Sequence, residues 1–274
     1  MTLEDHAGDV LSKARTARGV STEEAAALAG LELRAYQQFE QTGQGSPPPR
    51  FDRLAGRLGL HAGCLAALVS GWLPEARDLG RWRQLRQITT TAGMAVNCYL
   101  VWDPTTRGAA LFDTGWDAQP VFELVGAHEL ELQHLFITHG HHDHVAALAP
   151  IQRRFPRATV HSGHPPTPAG RQNPAEHGIG IGGLSVLARP TPGHSADGTS
   201  YLITGWAENA PPVVVVGDAL FAGSMGRAAG AAFEDARQAV REQILSLGSD
   251  TLGCPGHGPM TTVGEERAHN PFFA

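Results

Sequence analysis

Lysine, cysteine and long apolar runs are what this 274-residue chain has least of, and each scarcity excludes something. Three dispersed cysteines, Cys64, Cys98 and Cys254, form no disulfide framework, no CxxC redox pair and no cysteine knuckle for a metal. No apolar stretch approaches the roughly 20 residues needed to span a bilayer. The longest, VVVVG at 213–217, reads instead as a buried strand. The opening MTLEDHAGDV lacks the basic-then-apolar layout of a signal peptide, which points to the cytoplasm and to no membrane partner. Basic residues number 21 against 27 acidic, a net charge of -6, so bulk electrostatics give no reason to coat nucleic acid. No GxSxG occurs, so the chain has no serine nucleophile elbow. What remains is rich in glycine, proline and histidine, with apolar residues at 42%, enough for one or two domains and a large core.

Two grammars divide the chain. Residues 1–72 read as short helical blocks separated by Gly, Pro and Ser, followed by a connector over 73–85. VLSKARTAR is a first helix, and Ser21 with Glu24 three residues on predicts a capping box opening a second helix over 22–29. LELRAYQQFE follows a break at Gly30, and FDRLAGRLGL and HAGCLAALV add two apolar stripes beyond GQGSPPPR. This order resembles the Cro- and lambda-repressor-like helix-turn-helix domain. That resemblance implies a recognition helix over 32–40, with Arg34, Gln37 and Gln38 as the residues that would contact DNA. Against it, residues 1–72 carry seven basic and eight acidic side chains. The plainer reading is a helical bundle that packs on the second domain or forms a homodimer.

From 86 to 274 the pattern becomes strands alternating with helices. AVNCYLVWD, AALFDTG, LQHLFITH, ATVHSG, LSVLARP, TSYLITG and PPVVVVGD predict strands, and helices are expected over 120–126, 145–155 and 233–247. Residues 163–183 read as a long Gly- and Pro-rich loop carrying Arg171, Asn173, Glu176 and His177.

The densest chemistry is ITHGHHDHV at 137–145. Alternate spacing lets His139 and His141 face one point, while Asp143 and His144, at the start of the next helix, face a second point beside it. Two metal ions follow. Mixed imidazole and carboxylate donors favour zinc, with iron or manganese as alternatives, over calcium. His194, Asp218 and His257 each close a strand-like run before a turn and add to the set.

Taken in order with NCYLV and LFDTG, these residues resemble the metallo-β-lactamase superfamily over about 86–274. The resemblance implies an α/β (α+β) fold, an αββα sandwich, preceded in this chain by the small all-α unit. It also implies that His139, His141 and His194 hold one metal, that Asp143, His144 and His257 hold the other, and that Asp218 bridges both. Asp113 is then expected to orient a ligand. The loop over 163–183 falls where that fold shapes the mouth of its pocket, so the resemblance implies specificity residues at Arg171, Asn173, Glu176 and His177, and His142 and His161 are extras to the motif. Cys254 reads as a buried core residue. Two such cations make hydroxide available between them and polarise a carbonyl, with Asp143 and Asp218 as the catalytic carboxylates.

GDALFAGSMGR and PGHGPMTTVGEERAHNPFF are similar to the glyoxalase II-like group, which implies hydrolysis of an acyl thioester such as S-lactoylglutathione. The sole lysine, Lys13, lies outside this half, so an arginine would have to clamp the substrate carboxylate. Lactone or other ester hydrolysis, iron-dependent persulfide dioxygenation and a metabolite-sensing DNA-binding regulator are the alternatives.

Overall fold

The computed structural model of the chain describes residues 2–163 and 178–274, and the backbone of 171–172. Five short helices come first: α1 (Ala7–Ala17), α2 (Thr22–Ala29), α3 (Leu33–Thr42), α4 (Phe51–Leu58) and α5 (Ala62–Val69). Local chemistry sets their ends. The His6 ring accepts the Asp9 amide while Asp9 accepts the His6 amide, a reciprocal cap on α1. Ser21 caps α2 by accepting the Glu24 amide at 3.1 Å, but the Glu24 carboxylate turns to Arg57 at 2.8 Å. Gly30, at φ 68°, ends α2 in the left-handed region. Val10, Leu11, Tyr36, Phe39, Leu54, Leu58 and Leu65 form the buried core of these helices, and the same apolar cluster runs on into Met225, Ala228, Phe233, Ala236 and Phe272. The helices therefore share one interior with the last fifty residues of the chain.

Beyond a single 3-10 turn at Leu79–Trp82, twelve strands form two six-stranded sheets among the described residues. The first takes β1 (Leu85–Ala92), β2 (Met94–Trp102), β3 (Gly108–Phe112), β4 (Glu131–Phe136), β5 (Thr159–Ser162) and β6 (Arg171–Gln172) in that order. The second runs β12 (Thr261–Thr262), β11 (Leu252–Pro255), β10 (Val213–Gly217), β9 (Thr199–Thr204), β8 (Leu184–Pro190) and β7 (Ile179–Ile181). Tyr99, Phe112 and Phe136 of one sheet meet Tyr201, Ile203 and Val215 of the other in the central layer. On the outer face of the first sheet lie α6 (Gln119–Ala127), α7 (His142–Val145) and α8 (Leu148–Arg154), and the second sheet is covered by α9 (Ala231–Gln243) and α10 (Val263–His269). All five residues of β10 are buried, because helices cover one face and the other sheet covers the opposite one.

This is an α+β sandwich with flanking helices. It departs from the sequence pattern in three places. β1, β12 and α10 lie outside the expected elements, although Thr262 and Glu265 form a capping box that opens α10, the expected helix over 145–155 is two helices divided at Ala146–Ala147, and the stretch 163–183 contains β6 and β7 instead of a continuous loop. No helix among the described residues is long and apolar enough to cross a membrane.

Candidate metal centre

The chemistry-bearing side chains all follow strand ends. Asp113 follows β3, His139 follows β4, His141 caps α7, and Asp143 and His144 lie within it. His194 stands in the turn after β8, Asp218 directly after β10, and His257 two residues after β11. The sandwich gathers them at one edge. Among the described residues three groups have donor atoms within 4.8 Å of one another: His139 with His141 and His194, His139 with His144 and Asp218, and Asp143 with His144 and His257.

Four of the five imidazoles are held by one nitrogen and offer the other. His144 Nδ1 lies 2.8 Å from Asp113 Oδ2, His257 Nδ1 2.6 Å from the Ala95 carbonyl, and His194 Nδ1 3.2 Å from the Arg227 carbonyl. His139 Nδ1 meets the Thr138 hydroxyl at 3.1 Å, and that hydroxyl donates to Asp113 Oδ2 at 2.7 Å. These acceptors fix the rings so that the second nitrogens converge. His139 Nε2 and His194 Nε2 each stand 3.0 Å from His141 Nδ1, and His257 Nε2 stands 3.2 Å from Asp143 Oδ2.

The donor set fits a metal. His144 Nε2 and Asp218 Oδ1 are buried and face each other at 3.2 Å as a close ion pair, outside hydrogen-bond geometry. With a His139 nitrogen within 4.8 Å of both, this is a donor arrangement that a shared cation would complete. A Cβ at Gly256 would fall 2.4 Å from Asp218 Oδ1 and 2.5 Å from His144 Cε1, so only glycine fits beside this pair.

Electrostatics divide the cluster. Burial and the neighbouring His144 pull His139 down to about 4, so its ring is neutral and ready to ligate. Burial also acts against a charged His144, but Asp113 and Asp218 prevail and raise it to about 10. For His257 burial is outweighed by Asp143 and Asp218, which lift it to about 11. Asp218, despite its burial, is held well below the usual carboxylate range by these two rings.

The remaining sequence candidates fall elsewhere. His142 is exposed, its ring edge-on to Trp116 at 5.4 Å, and His161 is buried against Phe136 with His134 Nδ1 3.1 Å away. Cys254 is buried in the central layer, where burial pushes its thiol up. Arg34, Gln37 and Gln38 are exposed on α3 and belong to none of the ligand groups. Asn173, Glu176 and His177 lie outside the described residues, and Arg171 is described in its backbone alone. Sequence reasoning missed Thr138, the Ala95 and Arg227 carbonyls, and Trp116, whose indole donates to the Met94 carbonyl at 3.0 Å beside the site. Backbone acceptors leave no trace in residue identity.

Comparison with known proteins agrees with this geometry. The profile of the metallo-beta-lactamase superfamily matches residues 91–257. The chain belongs to the metallo-beta-lactamase superfamily. Hydroxyacylglutathione hydrolase GloC of Haemophilus influenzae is 27% identical over 211 residues, covering 68% of this chain and 97% of that protein. Among solved structures, the BLEG-1 B3 metallo-beta-lactamase superposes with a TM-score of 0.60 at 27% identity, over 69% of this chain and 99% of that one. ETHE1 from Myxococcus xanthus gives 0.59 at 28%, over 68% and 83%. The likeness extends to a hydroxyacylglutathione hydrolase, to ETHE1 and to a B3 metallo-beta-lactamase, and superfamily membership together with the ligand groups defines a metal-dependent hydrolase.

Proposed function

We propose that the protein hydrolyses an acyl thioester of the S-lactoylglutathione type, using two divalent metals, zinc foremost. The three convergent donor groups, with the buried His144 Nε2 and Asp218 Oδ1 facing each other at 3.2 Å, carry the metal part of this reading. The similarity to GloC along nearly all of that protein's length supports the thioester part.

His139, His141 and His194 would hold one ion and Asp143, His144 and His257 the other, with Asp218 between them. Bound there, the ions would acidify a water and polarise a carbonyl. The chain's own residues do the rest. Asp143 is held below its usual range chiefly by His257 and His144 in opposition to burial, so it stays ionised. It accepts a hydrogen from the attacking water and keeps an oxygen lone pair aimed at the carbonyl carbon. As the water oxygen bonds to the carbonyl carbon the C–S bond breaks, and the thiolate leaves and takes up the proton the water gives up, so the products are a carboxylic acid and a thiol and no protein nucleophile is needed. Arg227, an exposed residue whose backbone carbonyl accepts from His194 Nδ1, is the arginine we propose for the substrate carboxylate.

For α1–α5 the packing role is favoured over operator recognition, because their core is continuous with Met225, Phe233 and Phe272. Residues 1–72 and 86–274 then work as one catalytic unit, whereas the helix-turn-helix reading predicts a salt-sensitive DNA complex.

The test is the initial rate on S-lactoylglutathione, a β-lactam and an acyl-homoserine lactone by zinc-loaded protein. Turnover above about 1 per second on the thioester alone supports the reading. Faster turnover of either other substrate overturns its thioester part.

A further inference from the structure

Lys13 is the one lysine in a chain with twenty arginines, and it is buried far from the surface role that residue usually plays. Its ammonium pairs with the buried Asp5 carboxylate and donates to the Met225 carbonyl at 2.8 Å. Asp5 also accepts the Ser224 hydroxyl at 2.6 Å. The N-terminal segment and α1 thus grip the turn 221–227 at two successive residues. From the other side, Asn270 Nδ2 donates to the Ser224 carbonyl at 2.8 Å and Glu266 accepts the Gly223 amide at 3.0 Å.

That turn touches the metal centre twice. The Lys13 ammonium lies 5.2 Å from the centroid of the Phe221 ring, which meets the His257 ring edge-on at 5.9 Å. At its other end, a Cβ on Gly226 would stand 2.0 Å from the Asp218 carbonyl and 2.9 Å from His194 Cβ, so the backbone there is pressed against both residues. The next residue, Arg227, supplies the carbonyl that His194 Nδ1 binds.

We propose that Lys13 and Asp5 are positioning residues: the N-terminal helices set the turn 221–227, and through it the aim of His194 and His257, so that metal retention depends on a domain that contributes no ligand. A compact ammonium suits this place better than a guanidinium, since its three donors can divide between a carboxylate and a carbonyl over an aromatic face. The inference rests on the metal reading of the His and Asp cluster.

Three variants test it: Lys13→Met, the double Lys13→Met with Asp5→Leu, and Ser224→Ala. The single change leaves Asp5 buried and unpaired and lowers Tm. The double change removes the buried charge and recovers part of that loss, since the Ser224 hydroxyl and the Met225 carbonyl lose these partners, and Ser224→Ala alters Tm little. Zinc retention is read by competition with a chromophoric chelator, and the ligand field by the visible spectrum of the cobalt-substituted protein. Both the double variant and Ser224→Ala are expected to give up zinc more readily, the double by about 10-fold, the lower range for groups that orient metal ligands, with a changed cobalt spectrum. Wild-type retention and spectrum in both would overturn the proposal. His141→Ala is the control. If it loses one zinc while the double variant keeps two, only the positioning role fails; if wild-type protein holds no zinc, the metal reading fails and takes this inference with it.

Discussion

Asp113 Oδ2 stands 2.8 Å from His144 Nδ1 while its other oxygen accepts the Thr138 amide at 2.7 Å, so one carboxylate ties the end of β3 to the first ligand loop. Asp113 reaches this place with φ 57°, in the left-handed region that a non-glycine residue seldom occupies. Asparagine at this position would keep the shape but could not accept from Thr138 and His144 together. Asp113→Asn is therefore expected to weaken zinc binding by about 10- to 100-fold with the fold intact. Chelator competition beside a circular dichroism melt checks it, and unchanged affinity would show that Asp113 does not orient the ligand.

Metal uptake should release protons. In the metal-free protein His144, at about 10, and His257, at about 11, both carry a proton at pH 7, and a metal can bind only the neutral rings. Zinc titrations in buffers of different ionisation enthalpy should show close to two protons released per chain, with affinity falling as pH falls. A binding enthalpy independent of buffer would contradict these protonation states.

Gly226 has no room for a side chain. Its Cβ would overlap the Asp218 carbonyl, so Gly226→Ala must shift the turn or Asp218 itself. Overpacking of this kind costs about 1–3 kcal/mol. A lower Tm together with lost turnover is the expected result, and a variant with wild-type values of both would show that the turn is free to move.

Glu266 gives the fold a pH dependence away from the metal cluster. Full burial raises its carboxyl to about 7, against the opposing hydrogen bonds from Thr261, Asn270 and Gly223. Because the folded value exceeds the ordinary 4.5, the favourable contribution is complete below that pH and is lost as pH rises through about 7. Glutamine carries no such proton. Melting curves of wild type and Glu266→Gln should therefore diverge as pH rises from about 4.5 to about 7 and run parallel above that, with wild type losing a few degrees relative to the variant. Parallel curves throughout would mean that Glu266 titrates normally.

The metal cluster was legible because its donors are concentrated in the chain: four of seven fall between His139 and His144, and few other roles demand that density of imidazole and carboxylate. The sandwich was legible wherever strands are buried on both faces, as in β10. β1 was harder, since its exposed Gln87, Thr89 and Thr91 give it the polarity of a loop. What the sequence could not display is contact across distance. Lys13 and Met225 are 212 residues apart, and the carbonyls of Ala95 and Arg227 would look the same on any residue. The N-terminal helices show the same limit. Their spacing suggests a DNA-binding unit, whereas their apolar faces close against Phe233 and Phe272.

The most direct test of a two-metal centre is the number of ions each chain holds, counted by native mass spectrometry on zinc-saturated wild type and on Asp218→Ala prepared identically. The geometry predicts two zinc ions per wild-type chain and at most one in the variant, which lacks the carboxylate between the two groups. Two ions in both proteins, or none in wild type, would contradict it.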